Sequence, residues 1–368
     1  MTIFVTCYQP VPMNYQHLGD HIREVNIRNR ELRVNNLLGL SVSKEFMPSI
    51  ANTIGTDMSS YKIVVRGQLV YIADTSRRGD KIAIAMLDKY ENAIVSQAYT
   101  VFEVIDTDKL LPEYLMMWFR RPEFDRYARF HSHGSAREVF DWEEMCDVRL
   151  PVPPIERQRE IVAEYETLTR RIYLNEQIIQ RLEATAQALY RNTFIDNIDK
   201  QNLPPGWHLS PLGDICKVKY GKAHEGIPEG DIPIYGSGGI MRYGNKALFK
   251  KPSVLIPRKG SLNNVFYIDQ PFWTVDTMFY TVLTDDFVTK YLYLFLKQFD
   301  FLAMDVGSAV PSMTVQTLNQ MELIMPEQKV LRLFDDQVST LFKAIKSRKQ
   351  ETEKLTELQS LLLAKMGQ

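Results

Sequence analysis

The sequence is poor in the residues that cross-link or anchor a chain. Its three cysteines, Cys7, Cys146 and Cys216, are odd in number and lack CxxC spacing, so we expect reduced thiols rather than a disulfide or a zinc site. It has no charged-then-apolar leader and no apolar run long enough to cross a bilayer. These absences predict a cytosolic protein without a membrane span.

Glycine and proline are missing from two long stretches, 155–203 and 327–366. Each stretch follows a proline, Pro154 or Pro326, and proline is well suited to a first helical turn. Acidic residues near both starts complement the positive end of a helix dipole. We therefore predict one unbroken helix of about 40 residues, roughly 60 Å long, in each stretch.

Both predicted helices carry a three-and-four spacing that indicates a coiled-coil seam. The first seam consists of Ile161, Tyr165, Leu168, Ile172, Asn175, Ile179, Leu182, Ala186 and Leu189. A shift of 173 residues gives the second, which is Phe334, Val338, Leu341, Ile345, Arg348, Thr352, Leu355, Gln359 and Leu362. We expect the two seams to pack on each other. The polar members either fix the register or contact a partner or water.

Acidic residues are absent from 232–268, which nevertheless contains six lysines and arginines interleaved with aromatic residues. The net charge of the whole chain is only −1, which argues mildly against nucleic-acid binding. An average hides distribution, however. One face of the molecule is expected to be strongly basic while the helices carry the acids.

The chain also repeats itself. Gly-Ser-Ala occurs at 134–136 and 307–309, and Leu-Gly-Asp occurs at 18–20 and 212–214. LPEYLMMWF at 111–119 resembles VTKYLYLFL at 288–296. The repeated order predicts two related bodies of mixed α/β structure, each followed by a long helix, with insertions confined to loops.

No catalytic constellation is evident. The glycine-rich 236–239 lacks the spacing of a dinucleotide or P-loop fingerprint, and the prolines at 204–205 favour a simple turn. His131 and His133 lack a third metal ligand motif, so we expect them to contact backbone phosphate or to end a solvated helix. These absences together favour a binding protein over an enzyme.

The ordered set of PPIERQREIV at 153–162, LPPGW at 203–207 and GSAVPSMT at 307–314 resembles the specificity (S) subunit of type I restriction–modification enzymes. That resemblance implies two target-recognition domains, separated by an antiparallel coiled coil of two long helices. Each domain would read one part of a split target in double-stranded DNA, and the helices would set the unread spacer.

The resemblance also implies partners. Two methyltransferase (M) subunits would dock on the helices, bind S-adenosylmethionine and methylate adenines. A separate restriction (R) subunit, whose presence the sequence leaves open, would use ATP and magnesium to translocate and cut. This chain would itself hold no cofactor or metal and catalyse nothing. The alternatives are a non-DNA coiled-coil scaffold and an enzyme with an unfamiliar site.

The expected domains are residues 1–153 and 198–326 for target recognition, with the helices at 154–197 and 327–368. DNA contacts are expected in the turn at 257–264, between strands at 252–256 and 265–268. The counterpart in the first body is 72–85. The candidates in the two segments, with further ones in the second body, are Arg77, Arg78, Lys81, Lys222, Tyr243, Lys250, Lys251, Arg258, Lys259, Asn263 and Asn264. Cationic side chains would hold phosphate or guanine and the two asparagines adenine; otherwise they are solvated surface residues.

Overall fold

A computed structural model describes residues 15–49, 56–75, 79, 81–134, 137–196, 198–303 and 312–367. Packing divides the chain into two compact units, one comprising Met1–Leu174 with Glu351–Gln368 and the other Asn175–Gln350. Both divisions fall inside a long helix. Each unit therefore contains one body of the repeat together with a part of each helix.

The first unit is built mainly from short antiparallel strands. In chain order they are β1 (Tyr15–His17), β2 (Ile22–Val25), β3 (Leu38–Leu40), β4 (Phe46–Pro48), β5 (Lys62–Val65), β6 (Leu69–Tyr71), β7 (Ile84–Met86), β8 (Asn92–Val95), β9 (Thr100–Val104) and β10 (Arg149–Pro151). The helices are α1 (Pro112–Arg120), α2 (Pro122–Phe130), α3 (Trp142–Asp147) and the start of α4 (Ile155–Phe194). One four-stranded sheet has the order β2-β9-β6-β7, and the pairs β1–β10, β3–β4 and β5–β8 complete the described strands.

The second unit repeats much of this plan. Its strands are β11 (His208–Pro211), β12 (Cys216–Tyr220), β13 (Ile232–Gly236), β14 (Gly239–Gly244), β15 (Ser253–Pro257), β16 (Phe266–Ile268), β17 (Trp273–Thr274), β18 (Met278–Leu283) and β19 (Glu322–Met325). Its helices are the end of α4 with α5 (Leu212–Ile215), α6 (Val288–Leu296), α7 (Val315–Asn319) and most of α8 (Gln328–Lys365). The four-stranded sheet has the order β12-β18-β15-β16, and a three-stranded sheet has the order β14-β13-β17.

The two four-stranded sheets have equivalent topology. In each, the strands that come first and last in the chain, β2 and β9 or β12 and β18, pair at one side of the sheet, and a central hairpin, β6–β7 or β15–β16, forms the other side. The two-stranded pairs β1–β10 and β11–β19 correspond as well. The β13–β14–β17 sheet has no strand-for-strand equivalent among the described residues of the first unit.

Individual hydrogen bonds repeat too. The Leu18 amide donates to Val148 O at 2.8 Å, and the Leu212 amide donates to Met321 O at 2.9 Å. These bonds join the Leu-Gly-Asp turn of each repeat to the end of the short helix that follows Gly-Ser-Ala. The same bond can form in both repeats only if the backbone follows the same path in each. The sequence repeat is therefore also a structural repeat.

A buried tyrosine gives a second repeated bond. Tyr114 in α1 donates its hydroxyl hydrogen to Pro151 O at 3.2 Å, and Tyr291 in α6 donates to Ile324 O. Both rings are fully buried, and a buried phenol needs a partner for its hydroxyl. The aligned tyrosines therefore hold the amphipathic helix of each body against the strand that leads into the long helix.

The long helices are part of the core of each unit. In the first unit Ile161 of α4 and Leu363 of α8 belong to the same buried cluster as the recognition body. In the second unit the Phe194 ring lies 4.9 Å from both Tyr291 and Phe334, measured between centroids. Burial of these side chains ties the helices rigidly to each body.

Within each unit the two helices run antiparallel. In the first unit Arg171 pairs with Glu351 at 2.6 Å, and Gln359 donates to the Thr169 hydroxyl at 2.6 Å. The later residue of α4 therefore contacts the earlier residue of α8, which means that the two helices run in opposite directions. In the second unit the Lys349 ammonium lies 3.4 Å from Glu183. The predicted fold, two repeated α/β bodies with an antiparallel pair of long helices, is confirmed.

All the predicted seam residues are buried or half-buried, and most of their neighbours along each helix are exposed. Asn175 is only 2% exposed, and its side-chain nitrogen has no hydrogen-bond partner among the described residues. Across the described part of the chain, no helix has the combination of length and apolar character that crossing a membrane requires.

Candidate nucleic-acid interface

The predicted contact turn of the second unit connects β15 to β16, which pair from Ser253 with Ile268 to Leu255 with Phe266. Backbone bonds fix where the turn leaves the sheet, since the Arg258 and Lys259 amides both donate to Thr277 O, at 2.8 and 3.2 Å. The turn is therefore an ordered loop at one end of the four-stranded sheet.

Arg258 projects its guanidinium over an exposed aromatic ring. The group lies 5.4 Å from the centroid of Tyr220, which is 52% exposed, and it donates to Asp276 O at 3.4 Å. Lys259 beside it is exposed. Tyr220 was not among the residues predicted from the sequence, because it follows Val218 and Cys216 on the strand face opposite to Lys217 and Lys219.

The two asparagines of the loop have partners within the chain. Asn263 donates to the Asp300 carboxylate at 2.9 Å, and Asn264 donates to Ser237 O at 2.9 Å. These bonds use one amide hydrogen of each asparagine. Reading of adenine by these side chains, which needs one amide hydrogen and the amide oxygen, stays a prediction.

A cleft of about 490 Å³ with a mixed polar and apolar lining opens beside this loop, lined among others by His224, Ser237 and Asp276. Lys222 directly precedes Ala223, which lines the cleft, and its amide donates to Thr274 O at 2.9 Å. Arg258 and Asn264 reach the same cleft through their bonds to Asp276 and Ser237. The structure thus brings Lys222, Arg258 and Asn264 together around one concave surface.

Other predicted contacts lie elsewhere. Lys250 and Lys251 precede β15 whereas Arg258 follows it, and five strand residues at about 3.3 Å each separate the two groups by roughly 17 Å. Tyr243, 49% exposed, lies on β14 opposite Pro233. The predicted residues of the second unit therefore do not form a single cluster.

Arg242, one of the cations in the acid-free stretch, has a structural role. Its guanidinium donates to His224 O at 2.6 Å and to Ile227 O at 3.1 Å. It is half-buried and clamps the loop before β13 onto β14. Its hydrogen-bonding capacity is therefore largely used within the chain, unlike that of Arg258 or Lys259.

The corresponding loop of the first unit connects β6 to β7. Arg77 and Arg78 lie outside the described residues, and Lys81 is exposed. The end of the loop is fixed where the Ile82 amide donates to Asp125 at 3.2 Å. Its beginning is fixed where Thr75 donates to the Ser132 hydroxyl at 2.8 Å.

The loops of the two repeats occupy equivalent places. Each joins the two strands of the central hairpin, and each forms a β-bridge to the segment that follows Gly-Ser-Ala, through Asp74 with Val139 and through Lys259 with Ser312. The same loop is therefore presented at the same edge of both repeats.

His131 and His133 share one carboxylate, because Glu144 lies 2.9 Å from the first and 3.1 Å from the second. The His131 ring also stacks on Tyr127 with 4.2 Å between centroids. Within the described ranges, no set of three or more His, Cys, Asp or Glu side chains is placed to hold a metal ion. The pair thus organises the segment before α3.

Comparison with known proteins shows which family has this sequence pattern. A family model described as "Type I restriction modification DNA specificity domain" matches residues 42–184 and 204–357. The MjaIX specificity subunit of a type I restriction enzyme from Methanocaldococcus jannaschii is 23% identical over 302 residues, covering 72% of this chain and 70% of that protein. The HindI specificity subunit from Haemophilus influenzae is 19% identical over 412 residues, covering 86% and 89%.

A solved structure has the same fold. The S subunit of a type I restriction–modification system from M. genitalium matches with a TM-score of 0.64 at 15% identity, covering 100% of this chain and 99% of the other. At that identity the match shows the fold and leaves the residues of the interface to be argued from this chain.

Proposed function

We propose, from the premise that this chain belongs to the type I restriction–modification DNA specificity family, that it is the subunit that recognises the DNA target of such a complex. The resemblance predicted from the sequence is confirmed by the family match. Specificity subunits recognise and do not catalyse, so the chemistry belongs to partner subunits.

One observation carries this proposal: a loop containing basic residues closes the same hairpin of the same four-stranded sheet in both repeats. Basic side chains on an exposed loop neutralise phosphates, and neighbouring polar groups read base edges. Two such loops in one chain suit a target with two separate parts. We assign one part to residues 1–153 and the other to residues 198–326.

The helices at 154–197 and 327–368 would set the number of unread base pairs between the two parts. They would also dock two methyltransferase (M) subunits, which bind S-adenosylmethionine and methylate adenine. A restriction (R) subunit using ATP and magnesium would join the same assembly. This distribution of roles, in the cytoplasm where such a complex meets DNA, is the finer part of the proposal.

Domain exchange tests the assignment. Residues 1–153 are replaced by the equivalent domain of another specificity subunit, and the DNA modified by the assembled methyltransferase is sequenced. We expect one half of the methylated motif to change and the other half to persist. A change in both halves, or in neither, would contradict the assignment of one reader to each repeat.

A scaffold that gathers proteins without touching DNA is the alternative. Replacing Arg258 and Lys259 with glutamine in the assembled complex should lower affinity for duplex DNA and reduce the slope of log affinity against log salt by up to about two, since each phosphate contact contributes roughly 0.9. The control replaces the exposed Lys200 and Lys329 of the same unit with glutamine. Binding that neither double variant changes would favour the scaffold.

A further inference from the structure

The first unit contains a cleft of about 390 Å³, with charged residues in a partly apolar lining, that none of the predicted roles explains. It lies where the loop at 42–44 meets the end of α1, the start of α2 and both long helices. Its charged lining consists of three cations, Lys44, Lys81 and Arg120, and one carboxylate, Asp125. Positive charge is therefore in excess within a concave surface.

Lys44 lines the wall of this cleft and combines an unusual backbone conformation with a buried side chain. Its backbone is in the left-handed region with φ 65°, which a side chain other than glycine rarely adopts. Its side chain is only 6% exposed, and its ammonium lies 2.8 Å from Asp125 and donates to Phe119 O. An ammonium has three donors; the contacts with Asp125 and Phe119 use two of them among the described residues, so one remains for a group in the cleft. Strained backbone at a buried charge often marks a ligand site.

Lys81 and Arg120 supply the rim. Lys81 directly precedes Ile82, whose amide donates to Asp125, so its backbone is fixed at the base of the basic loop. Arg120 ends α1 and faces Tyr165 on α4; burial raises the pKa of Tyr165, while Arg120 opposes that rise. The other nearby carboxylate, that of Glu45, also acts on Tyr165. With Glu45 included, the cations still outnumber the carboxylates.

The cations also act on one another. Burial lowers the pKa of Lys44, the bond to Asp125 opposes this, and Arg120 and Lys81 add to the lowering. Like charges held together in a cleft repel, and a bound anion would relieve that repulsion. The arrangement offers a charged donor from each of three chain segments, which is the chemistry that holds the oxygens of a phosphate.

We propose that this cleft binds one phosphate group of the DNA backbone through Lys44, Lys81 and Arg120, an inference that rests on the proposed function. A phosphate seated there would contact the base of the recognition loop and a side chain packed against α4. Such a contact fixes the position of the duplex on the domain and does not depend on the base sequence. Arg120, Lys44 and Tyr165 thereby become parts of the interface.

The test measures binding of the full chain, assembled with its partner subunits, to a mixed-sequence duplex at several salt concentrations. The variants are Lys81→Gln, Arg120→Gln and the two combined. The control is Lys89→Gln, an exposed lysine of the same unit. Because both cations hold one phosphate, we expect each variant to weaken binding and the combined variant to reduce the salt slope by about one. The control should leave the slope unchanged.

Two results would overturn the proposal, and the second has a special case. A slope reduced by about two in the combined variant would indicate two separate phosphate contacts, and an unchanged slope would indicate none. An unchanged slope together with binding of inorganic phosphate, detected by side-chain NMR shifts of Lys81 and Arg120 without DNA, would assign the cleft to a free anion.

Failure of the proposed function is distinguishable from these results. If wild-type protein bound no duplex at any salt concentration, DNA recognition itself would be refuted along with this cleft. If wild-type protein bound duplex, and the Arg258 and Lys259 variant weakened it while the Lys81 and Arg120 variants did not, only the cleft would be refuted.

Discussion

At the scale of single residues, the side-chain amide of Asn263, in the loop between β15 and β16, lowers the pKa of the Asp300 carboxyl. The hydrogen bond from Asn263 is the main cause that holds the pKa of Asp300 below its ordinary value, with the Ala303 and Leu302 amides adding to it. Hydrogen bonds to a carboxylate favour its charged form. Asp300 thus helps hold the loop in shape as long as it is ionised.

Replacing Asn263 with alanine should raise the pKa of Asp300 toward its ordinary value, about 3.9. A depressed folded-state pKa stabilises the fold above the unfolded pKa, and this contribution is lost as pH falls through the folded value. The variant should therefore be less stable than wild type at neutral pH, and the difference should shrink in acid. NMR titration of the Asp300 carboxyl carbon measures the shift directly.

Asn264→Ala is the matched control for this prediction, because Asn264 donates to a backbone carbonyl, Ser237 O, and not to Asp300. That variant should leave the pKa of Asp300 unchanged. An Asp300 pKa that failed to move in the Asn263 variant would mean that the backbone amides of 302 and 303 alone set it.

Two arginines of the acid-free stretch show why the site was only partly predictable. Arg242 and Arg258 lie in the same basic, aromatic-rich composition, yet Arg242 makes two strong bonds to the carbonyls of residues 224 and 227 while Arg258 remains over an exposed ring. The difference depends on a loop that folds back from a distant part of the sequence. Composition indicates a basic face but does not decide which cation is free to bind.

At the scale of elements, a polar residue interrupts the seam of α4. Asn175 is buried, and its side-chain amide nitrogen has no hydrogen-bond partner in the described part of the chain. An unpaired buried donor costs about 1–3 kcal/mol, while polar seam residues can fix register and assembly. The first effect predicts that an apolar substitution stabilises the chain, and the second predicts that it weakens the control of register and assembly.

Asn175→Leu should therefore stabilise the chain by about 1 kcal/mol or more, since it removes the unpaired donor and adds apolar contact. Thermal unfolding measures the gain, and light scattering shows whether the variant remains in the same state of assembly. Gln359→Leu is the control, because the amide of Gln359 already donates to Thr169 and its loss should stabilise less. A lower melting temperature for Asn175→Leu would mean that this amide has a partner, such as an ordered water.

The β15–β16 hairpin of the second unit packs against α8 chiefly through aromatic side chains. The Tyr267 ring lies 5.0 Å from Phe342 between centroids. An ion pair between Lys346 and Asp269 at 2.8 Å is 44% and 39% exposed at its two side chains. Exposed pairs contribute roughly 0–1 kcal/mol, whereas an aromatic pair adds about 0.5–1.5 kcal/mol beyond the area it buries. The aromatic contact therefore dominates.

The elements differ in how well the sequence predicts them, and the range of the forces explains why. The long helices and their seams follow from local periodicity without glycine or proline, and α4 and α8 lie within two residues of the predicted starts. The β15–β16 hairpin follows from a local turn between apolar strands. The parallel contact of β13 with β17 joins segments about 40 residues apart, and no local pattern specifies it.

At the scale of the whole molecule, duplication is the main organising feature. Equivalent bonds at Leu18 and Leu212, and at Tyr114 and Tyr291, show that both repeats are built on the same frame. Loops differ where the frame is free to vary, as in β13–β14–β17. A duplicated frame with divergent loops is what independent recognition of two half-targets requires, because one loop can change while the other half remains intact.

Lengthening both helices tests their proposed role as a spacer. Inserting four residues, about one helical turn, after Leu174 in α4 and after Gln350 in α8 adds roughly 6 Å to each helix. A four-residue insertion locally unwinds a coiled coil, but because the helices pair antiparallel, insertions at facing positions let the same seam residues pair on either side. We expect methylated motifs with the same half-sites and an unread spacer longer by about one to two base pairs, at about 3.4 Å per base pair.

An insertion in α4 alone is the control, since it shifts one seam against the other and should impair assembly or methylation. Sequencing of modified DNA separates the outcomes. Altered half-sites would mean that the helices shape the readers themselves, and an unaltered spacer would mean that partner subunits fix the distance. Only a longer spacer between unchanged half-sites agrees with helices that set a distance and loops that read bases.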